Sequence, residues 1–276
     1  MLKRLSRIVE SGHSRSMIVQ IDLKERTAII TGGSKGLGLA VAQRFAGLGA
    51  QVFIVARDVN VLEQARAGIE RQAPGRVGAI AADIATPDGV NKAYEAAMSR
   101  FGKVDIIVNN AGISRAGGFE SVTDEIWQAD LDLKLFAAIR LSRLVWPQMR
   151  QRQWGRIINV LNIGAKAPAA KSVPTSVSRA AGMALTKALA GEGAPFNILV
   201  NALLVGRIES DQWVRQAHAT GRPLQELLDE MGRKIPLGRM GTADEFAAAA
   251  CFMASDWASY ITGTALNVDG GASPVM

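Results

Sequence analysis

The sequence predicts one α/β domain organised around a strand, a glycine-rich turn and a helix. Short apolar runs alternate with stretches of helical spacing along most of the chain, the pattern of strands interleaved with covering helices. Thr31-Gly32-Gly33-Ser34-Lys35-Gly36-Leu37-Gly38 lies between the β-branched run at 27–30 and the helix-like stretch at 39–45, a context in which a glycine cluster reads as a nucleotide-binding turn. With 276 residues, 48% of them hydrophobic, the chain can bury a large core without division into two domains.

Each glycine of the turn has a reason. Gly32 can take a backbone conformation closed to other residues, Gly36 lets the main chain approach a phosphate, and Gly38 allows close packing of helix on strand. The amides at the helix start then face an anion.

Composition removes several function classes. The one cysteine, Cys251, leaves no internal disulfide and no cysteine metal cluster, which suits a reducing, cytoplasmic setting. His13 and His218 lie far apart in sequence, so no zinc site is expected. The net charge of +7 comes from scattered basic residues with few aromatics among them, which argues for a solvated surface and against a nucleic-acid partner. No apolar run approaches the roughly 20 residues needed to span a bilayer, so no membrane association is expected. Residues 1–22, with Lys3, Arg4, Arg7 and Arg15 against Glu10, read as a basic arm outside the fold, with Met17 as an alternative start. The domain proper is taken as 23–276.

Taken in order, residues 51–56 read as a second buried strand ending at Ala56-Arg57-Asp58. In dinucleotide sites an acid at this strand end usually binds the ribose 2′-hydroxyl, whereas a basic residue accommodates a 2′-phosphate. Ala56 stands where the acid is expected, and Arg57 and Lys35 supply cations, which favours NADP with NAD as the alternative. Asp58 is read either as a ribose ligand one position late or as a cap for a helix over 59–72. Residues 76–82 form a third strand followed by Asp83-Ile84. Asp83 is read either as an acceptor for the adenine amino group or as a turn residue before the helix start at Thr86-Pro87. Residues 104–108 form a fourth strand running into Asn109-Asn110-Ala111-Gly112, where small residues would let a ribose lie against the backbone.

With these stretches in place, the chain resembles the short-chain dehydrogenase/reductase family from about residue 23 to 273. The resemblance rests on the turn at 31–38, on Asp83-Ile84, on Asn109-Asn110-Ala111-Gly112, on Gly155-Arg156-Ile157-Ile158-Asn159, and on Gly263 followed by Asn267-Val268-Asp269-Gly270-Gly271. It implies a Rossmann-type, doubly wound parallel sheet of about seven strands with helices on both faces. It also implies homodimers or homotetramers, here through helices at about 125–150 and 172–190. The cofactor positions carried over are Gly32, Ser34, Lys35, Gly36, Leu37, Gly38, Arg57, Asp83, Ile84, Asn110, Ala111, Gly112, Arg179, Gly206 and Ile208.

The family transfers hydride to or from C4 of a nicotinamide, using a tyrosine as acid or base, a lysine four residues later, an upstream serine and an asparagine. Register from Gly155-Arg156 and Ile158-Asn159 places Lys134 at the asparagine, Asn162 at the serine, Thr175 at the tyrosine and Arg179 at the lysine. All four are replaced. An alignment slip cannot hide the tyrosine, because the only two in the chain, Tyr94 and Tyr260, lie far from that register. A threonine hydroxyl is too weak an acid to replace a tuned phenol, though it donates a hydrogen bond. Arg179 stays charged and can hold ribose hydroxyls or an anion. Lys134 is the one titratable newcomer, and burial beside Arg179 would lower its pKa toward a proton donor's range. Alternatively, Lys134 and Arg179 bind an anionic substrate or pair with nearby acids.

Residues 206–235, with Trp213, Val214, Leu224, Leu227, Leu228 and Met231 at helical spacings, read either as a lid over a small-molecule substrate or as a face packed on the core. Two functions therefore stand after the sequence alone. One is an NADP-linked oxidoreductase of a carbonyl or alcohol with unconventional acid/base residues. The other is a catalytically inactive, dinucleotide-binding sensor or scaffold subunit.

Overall fold

The computed structural model describes residues 21–276. The basic stretch of the expected arm, with His13 and Met17, lies outside the described residues. Ile21 packs against the core and Leu23 is buried.

Seven parallel strands form one sheet in the order β3-β2-β1-β4-β5-β6-β7. They are β1 (Thr27–Thr31), β2 (Gln51–Ala56), β3 (Val77–Ala81), β4 (Ile106–Asn109), β5 (Gly155–Asn162), β6 (Ile198–Val205) and β7 (Ala265–Val268). The strands read as near-continuous apolar runs because both faces are covered, as parallel sheets require. Alternate residues of one strand enter opposite layers. Ala28 and Ile30 of β1, Val52 and Ile54 of β2, and Ile106 and Val108 of β4 face one core, together with Val41 and Phe45 of α1 (Gly36–Gly47), Leu62 and Ile69 of α2 (Val59–Gln72), and Phe246 of a later helix. Ile29, Phe53, Val55 and Ile107 face the other, with Val90 and Ala97 of α3 (Pro87–Phe101). The order reverses between β1 and β4, and ligands of such sheets bind outside the carboxyl ends at that point.

Helix starts follow their caps. Asp58 accepts from the amides of Asn60 and Val61 at the start of α2, and Thr86 accepts from Gly89 N ahead of α3, which has Pro87 in its first turn. Of the two readings of Asp58, the structure therefore carries the helix cap.

The sequence led us to expect an unbroken helix over about 125–150. The structure corrects this: α4 (Asp124–Leu131) passes through a π-helical turn, Asp132–Phe136, into α5 (Ala137–Arg152). The helical period carries no information about such a local change from i→i−4 to i→i−5 bonding, which recurs at functional sites. The remaining helices are α6 (Thr175–Gly193), α7 (Asp211–Thr220), α8 (Leu224–Gly232) and α9 (Ala243–Ala254). Thr242 and Glu245 form a reciprocal capping box at the start of α9.

Candidate active site

Two adjoining cavities run along the carboxyl ends of the central strands. The first, about 340 Å³, is lined by Gly32, Ser34, Lys35, Ala56, Arg57, Asp58, Asp83 and Ile84, among others. The second, about 360 Å³, is lined by Leu37, Asn110, Val160, Asn162, Thr175, Arg179 and neighbouring backbone. Gly32, Lys35, Ala111, Gly112 and Ile113 border both, so the two form one elongated cleft.

The glycine turn is built as its sequence implies. Gly32 has φ +66° and Gly36 φ +52°. A Cβ on Gly38 would stand 2.2 Å from Gly32 O, so helix and strand touch there and Gly38 lies behind the cleft. A Cβ on Gly36 would meet nothing within 4 Å, which leaves the helix start open to an incoming anion. The turn is fixed from behind by the end of β4. Thr31 Oγ1 accepts from the amides of Asn110 and Ala111, both at 3.0 Å, and Asn110 Nδ2 donates to Thr31 O and Gly32 O. The Asn110 side chain is thus occupied in bracing the turn.

Arg57 and Lys35 are exposed on the first cavity, and among the described residues neither forms an ion pair. Asp83 accepts from Ala85 N at 3.1 Å, the turn role, while still lining the cavity. These features suit a dinucleotide with a 2′-phosphate: an open helix start for the pyrophosphate and two uncommitted cations at the strand end.

The second cavity brings together the four residues at the altered positions, but in unequal ways. Thr175 and Asn162 line it directly. Arg179 also lines it; its Nη1 donates to Val160 O at 2.6 Å, and its Nη2 would stand 2.5 Å from a Cβ on Gly112. The guanidinium therefore lies across Gly112, where only a glycine leaves room. Burial lowers the Arg179 pKa to about 10, with Asp130 acting in the opposite direction, so the group stays charged. Buried Arg179 Nε and Asn162 Oδ1 have no hydrogen-bond partner among the described residues.

Lys134 lies behind this wall. Its side chain is buried, and its Nζ donates to Asp130 Oδ1 and, at 2.9 Å, to Thr175 Oγ1. Desolvation brings its pKa down from 10.5 to about 8; the Asp130 carboxylate opposes this, and the charges of Arg179 and Arg115 reinforce it. Thr175 Oγ1 also accepts from Arg115 N at 3.2 Å. With both lone pairs so engaged, and no acceptor for its hydrogen among the described residues, the threonine hydroxyl is left to donate into the cleft.

Asp130 and Ser178 were not visible as site residues. Asp130 is fully buried, and its second carboxylate oxygen accepts from Ser178 Oγ at 2.6 Å. The signal available in sequence was its position four residues before Lys134, the spacing of a helical ion pair; sequence does not show that the pair faces inward.

Gly206 and Ile208 are not brought to this cleft. A Cβ on Gly206 would stand 2.6 Å from Asp269 Cβ, and Ile208 bridges to Gly241 and lines a separate cavity of about 610 Å³. Among the described residues, none of 206–235 lines the Thr175 cavity; Trp213 Nε1 donates to Ile208 O, and α7 and α8 pack on each other. Tyr94 hydroxyl accepts from Gln148 and Tyr260 is fully exposed, so neither is near Thr175.

Residues 32–273 match the enoyl-(acyl carrier protein) reductase family. The chain belongs to the short-chain dehydrogenase/reductase family. It is 38% identical over 255 residues to a Streptomyces virginiae protein named as a ketoacyl reductase of the monensin polyketide synthase, covering 89% of this chain and 96% of that one. It is similar in structure to L-sorbose reductase from Gluconobacter frateurii, solved with NADPH and L-sorbose, with TM-score 0.89 and 35% identity, over 93% of this chain and 99% of that one. It is also similar to a short chain oxidoreductase from Pseudomonas aeruginosa described as containing an atypical catalytic center and solved with NADPH, with TM-score 0.87 and 36% identity, over 93% and 100%.

Proposed function

We propose that this chain is an NADP-linked oxidoreductase that interconverts a carbonyl and an alcohol, with Thr175 touching the substrate oxygen and Lys134 supplying the proton through it. The observation that carries this reading is the 2.9 Å hydrogen bond from buried Lys134 Nζ to the hydroxyl of Thr175, a residue that lines the cleft. The cofactor, when bound, supplies hydride at nicotinamide C4.

The chain's residues do the rest. Arg57 and Lys35 would hold the 2′-phosphate, the helix start at Gly36 would receive the pyrophosphate, and Arg179 across Gly112 would hold ribose hydroxyls. Asn162 and Thr175 orient the carbonyl. As hydride reaches the carbonyl carbon and the C=O π bond opens, the oxygen takes the Thr175 hydroxyl proton. Thr175 in turn takes one from Lys134, which regains it through Thr175 from water in the cleft once the alcohol has left, so that one carbonyl, one hydride and one proton give one alcohol. A weak acid in the relay position suffices because it passes a proton between stronger groups. Lys134 does not serve as an anion-binding cation in this reading, since Asp130 already occupies it. The substrate is a small molecule with a ketone or secondary alcohol, and the active form is a homodimer or homotetramer built through α5 and α6.

The test is NADPH oxidation with a panel of ketones, including ketoacyl thioesters and ketoses. Turnover with at least one is expected; tight NADPH binding with none would leave a binding protein.

A further inference from the structure

We infer that Asp130 is a positioning residue that holds the Lys134 ammonium against Thr175 and sets the pH at which that lysine gives up its proton. The inference rests on the proposed function for its kinetic arm only. Its basis is geometric. The Asp130 carboxylate is fully buried, and each of its oxygens has one donor: Lys134 Nζ on Oδ1 and Ser178 Oγ on Oδ2. Asp130 lies in the last turn of α4, and Lys134 lies within the π turn that follows, while Thr175 and Ser178 are both in the first turn of α6. The carboxylate thus joins two elements at the point where the threonine must be aimed.

A lone buried ammonium would be lost to deprotonation, whereas a buried carboxylate within hydrogen-bond reach retains the charge. The groups facing Lys134 are Asp130 on its own helical stretch, Arg179 and Thr175 from α6, and Arg115 from the β4–α4 connection. The two arginines push the proton off, and Asp130 is the only one of the four that holds it on. Ser178 moderates that hold: by donating to the carboxylate it makes the aspartate a poorer partner for the ammonium.

Two substitutions therefore shift the lysine in opposite directions. Asp130→Asn removes the charge that retains the proton, so the alkaline limb of kcat for ketone reduction moves to lower pH, kcat at neutral pH falls about tenfold or more, and KM for NADPH stays within about twofold. Ser178→Ala leaves the carboxylate more basic, so the limb moves to higher pH. A merely structural role would not give opposite shifts. The same midpoints are read without turnover from the 13Cε resonance of Lys134 in lysine-labelled protein, assigned by its loss in Lys134→Arg. Opposite displacement of the midpoints in the two variants is the expected result. Coincidence of both with the wild type overturns the inference. If Asp130→Asn does not fold, Ser178→Ala alone decides: an unchanged midpoint and limb overturn it. A wild type inactive on every ketone defeats the functional reading, while the resonance titration still decides the role of Asp130.

Discussion

Lys134 Nζ stands 2.9 Å from Thr175 Oγ1, behind the cleft wall that the threonine forms. In the proposed function, the pair would join the asparagine position of the family to its tyrosine position and make a donor from two residues that would each fail alone. Threonine cannot ionise in the useful range, and a lysine in that place has no opening onto the cleft.

The first prediction concerns pH. Lys134 is brought down to about 8 by burial and must be protonated to give its proton. Reduction should hold on a plateau below about pH 8 and fall above it, while oxidation of the corresponding alcohol should rise through the same range. Measured kcat against pH in both directions, under saturating cofactor, checks this. A reduction rate that climbs through pH 9 contradicts it.

Thr175→Val keeps the shape and removes the hydroxyl. Reduction should fall about 100-fold or more with NADPH affinity little changed, whereas Thr175→Ser should retain most of the rate. Stopped-flow single turnovers separate the chemical step from cofactor release, and equal loss in both variants would speak against the hydroxyl.

Stability should reveal the buried pair. Lys134→Met strands the Asp130 charge and should cost about 3–5 kcal/mol in chemical denaturation. Adding Asp130→Leu should recover much of that, because no uncompensated buried charge then remains. It follows that restoring the family set with Thr175→Tyr, Arg179→Lys, Asn162→Ser and Lys134→Asn needs a change at Asp130 as well.

At the strand end, the proposed cofactor choice and the observed helix cap fall to neighbours, Arg57 and Asp58. Arg57→Glu should reverse the preference for NADPH over NADH, by about tenfold or more, without affecting folding. Asp58→Ala removes the cap bonds to Asn60 and Val61 and should cost about 1 kcal/mol of stability with little change in preference. Fluorescence titration with each cofactor, alongside thermal melts, distinguishes the two roles.

For assembly, Ile139, Trp146, Leu185 and Leu189 line an apolar groove of about 360 Å³ between α5 and α6. Leu185→Asp should shift a dimer or tetramer toward monomer in sedimentation velocity. A wild type that sediments as a monomer at micromolar concentration excludes assembly through this face.

Much of this was legible in the linear chain because it depends on local conformation or on short spacing. The strands and the glycine turn follow from β-branched runs and from backbone conformations that glycine alone supplies cheaply, and the bounds of β2 and α2 coincide with those read from the sequence. The reading that all four family residues are replaced rests on register and the count of two tyrosines, and the structure places Asn162, Thr175 and Arg179 on one cavity. Other features depended on which side chains meet across the fold. Asp58 was open to two readings until its carboxylate was placed on the α2 amides, because capping and ribose binding ask for the same residue type. Gly206 and Ile208 carried a motif's expectation, whereas in the structure Gly206 packs on Asp269, and Ile208 lies beside Gly241 and lines a separate cavity. Above all, Asp130 and Ser178 came into view only when α4, the π turn and α6 were brought together. Register and charge marked Lys134 as a titratable newcomer, but its aim at Thr175, 41 residues away, and the bond from Ser178 to its partner Asp130 across 48 residues arise only from tertiary contacts, and a buried electrostatic arrangement of that kind exists only once the low-dielectric interior has formed around it.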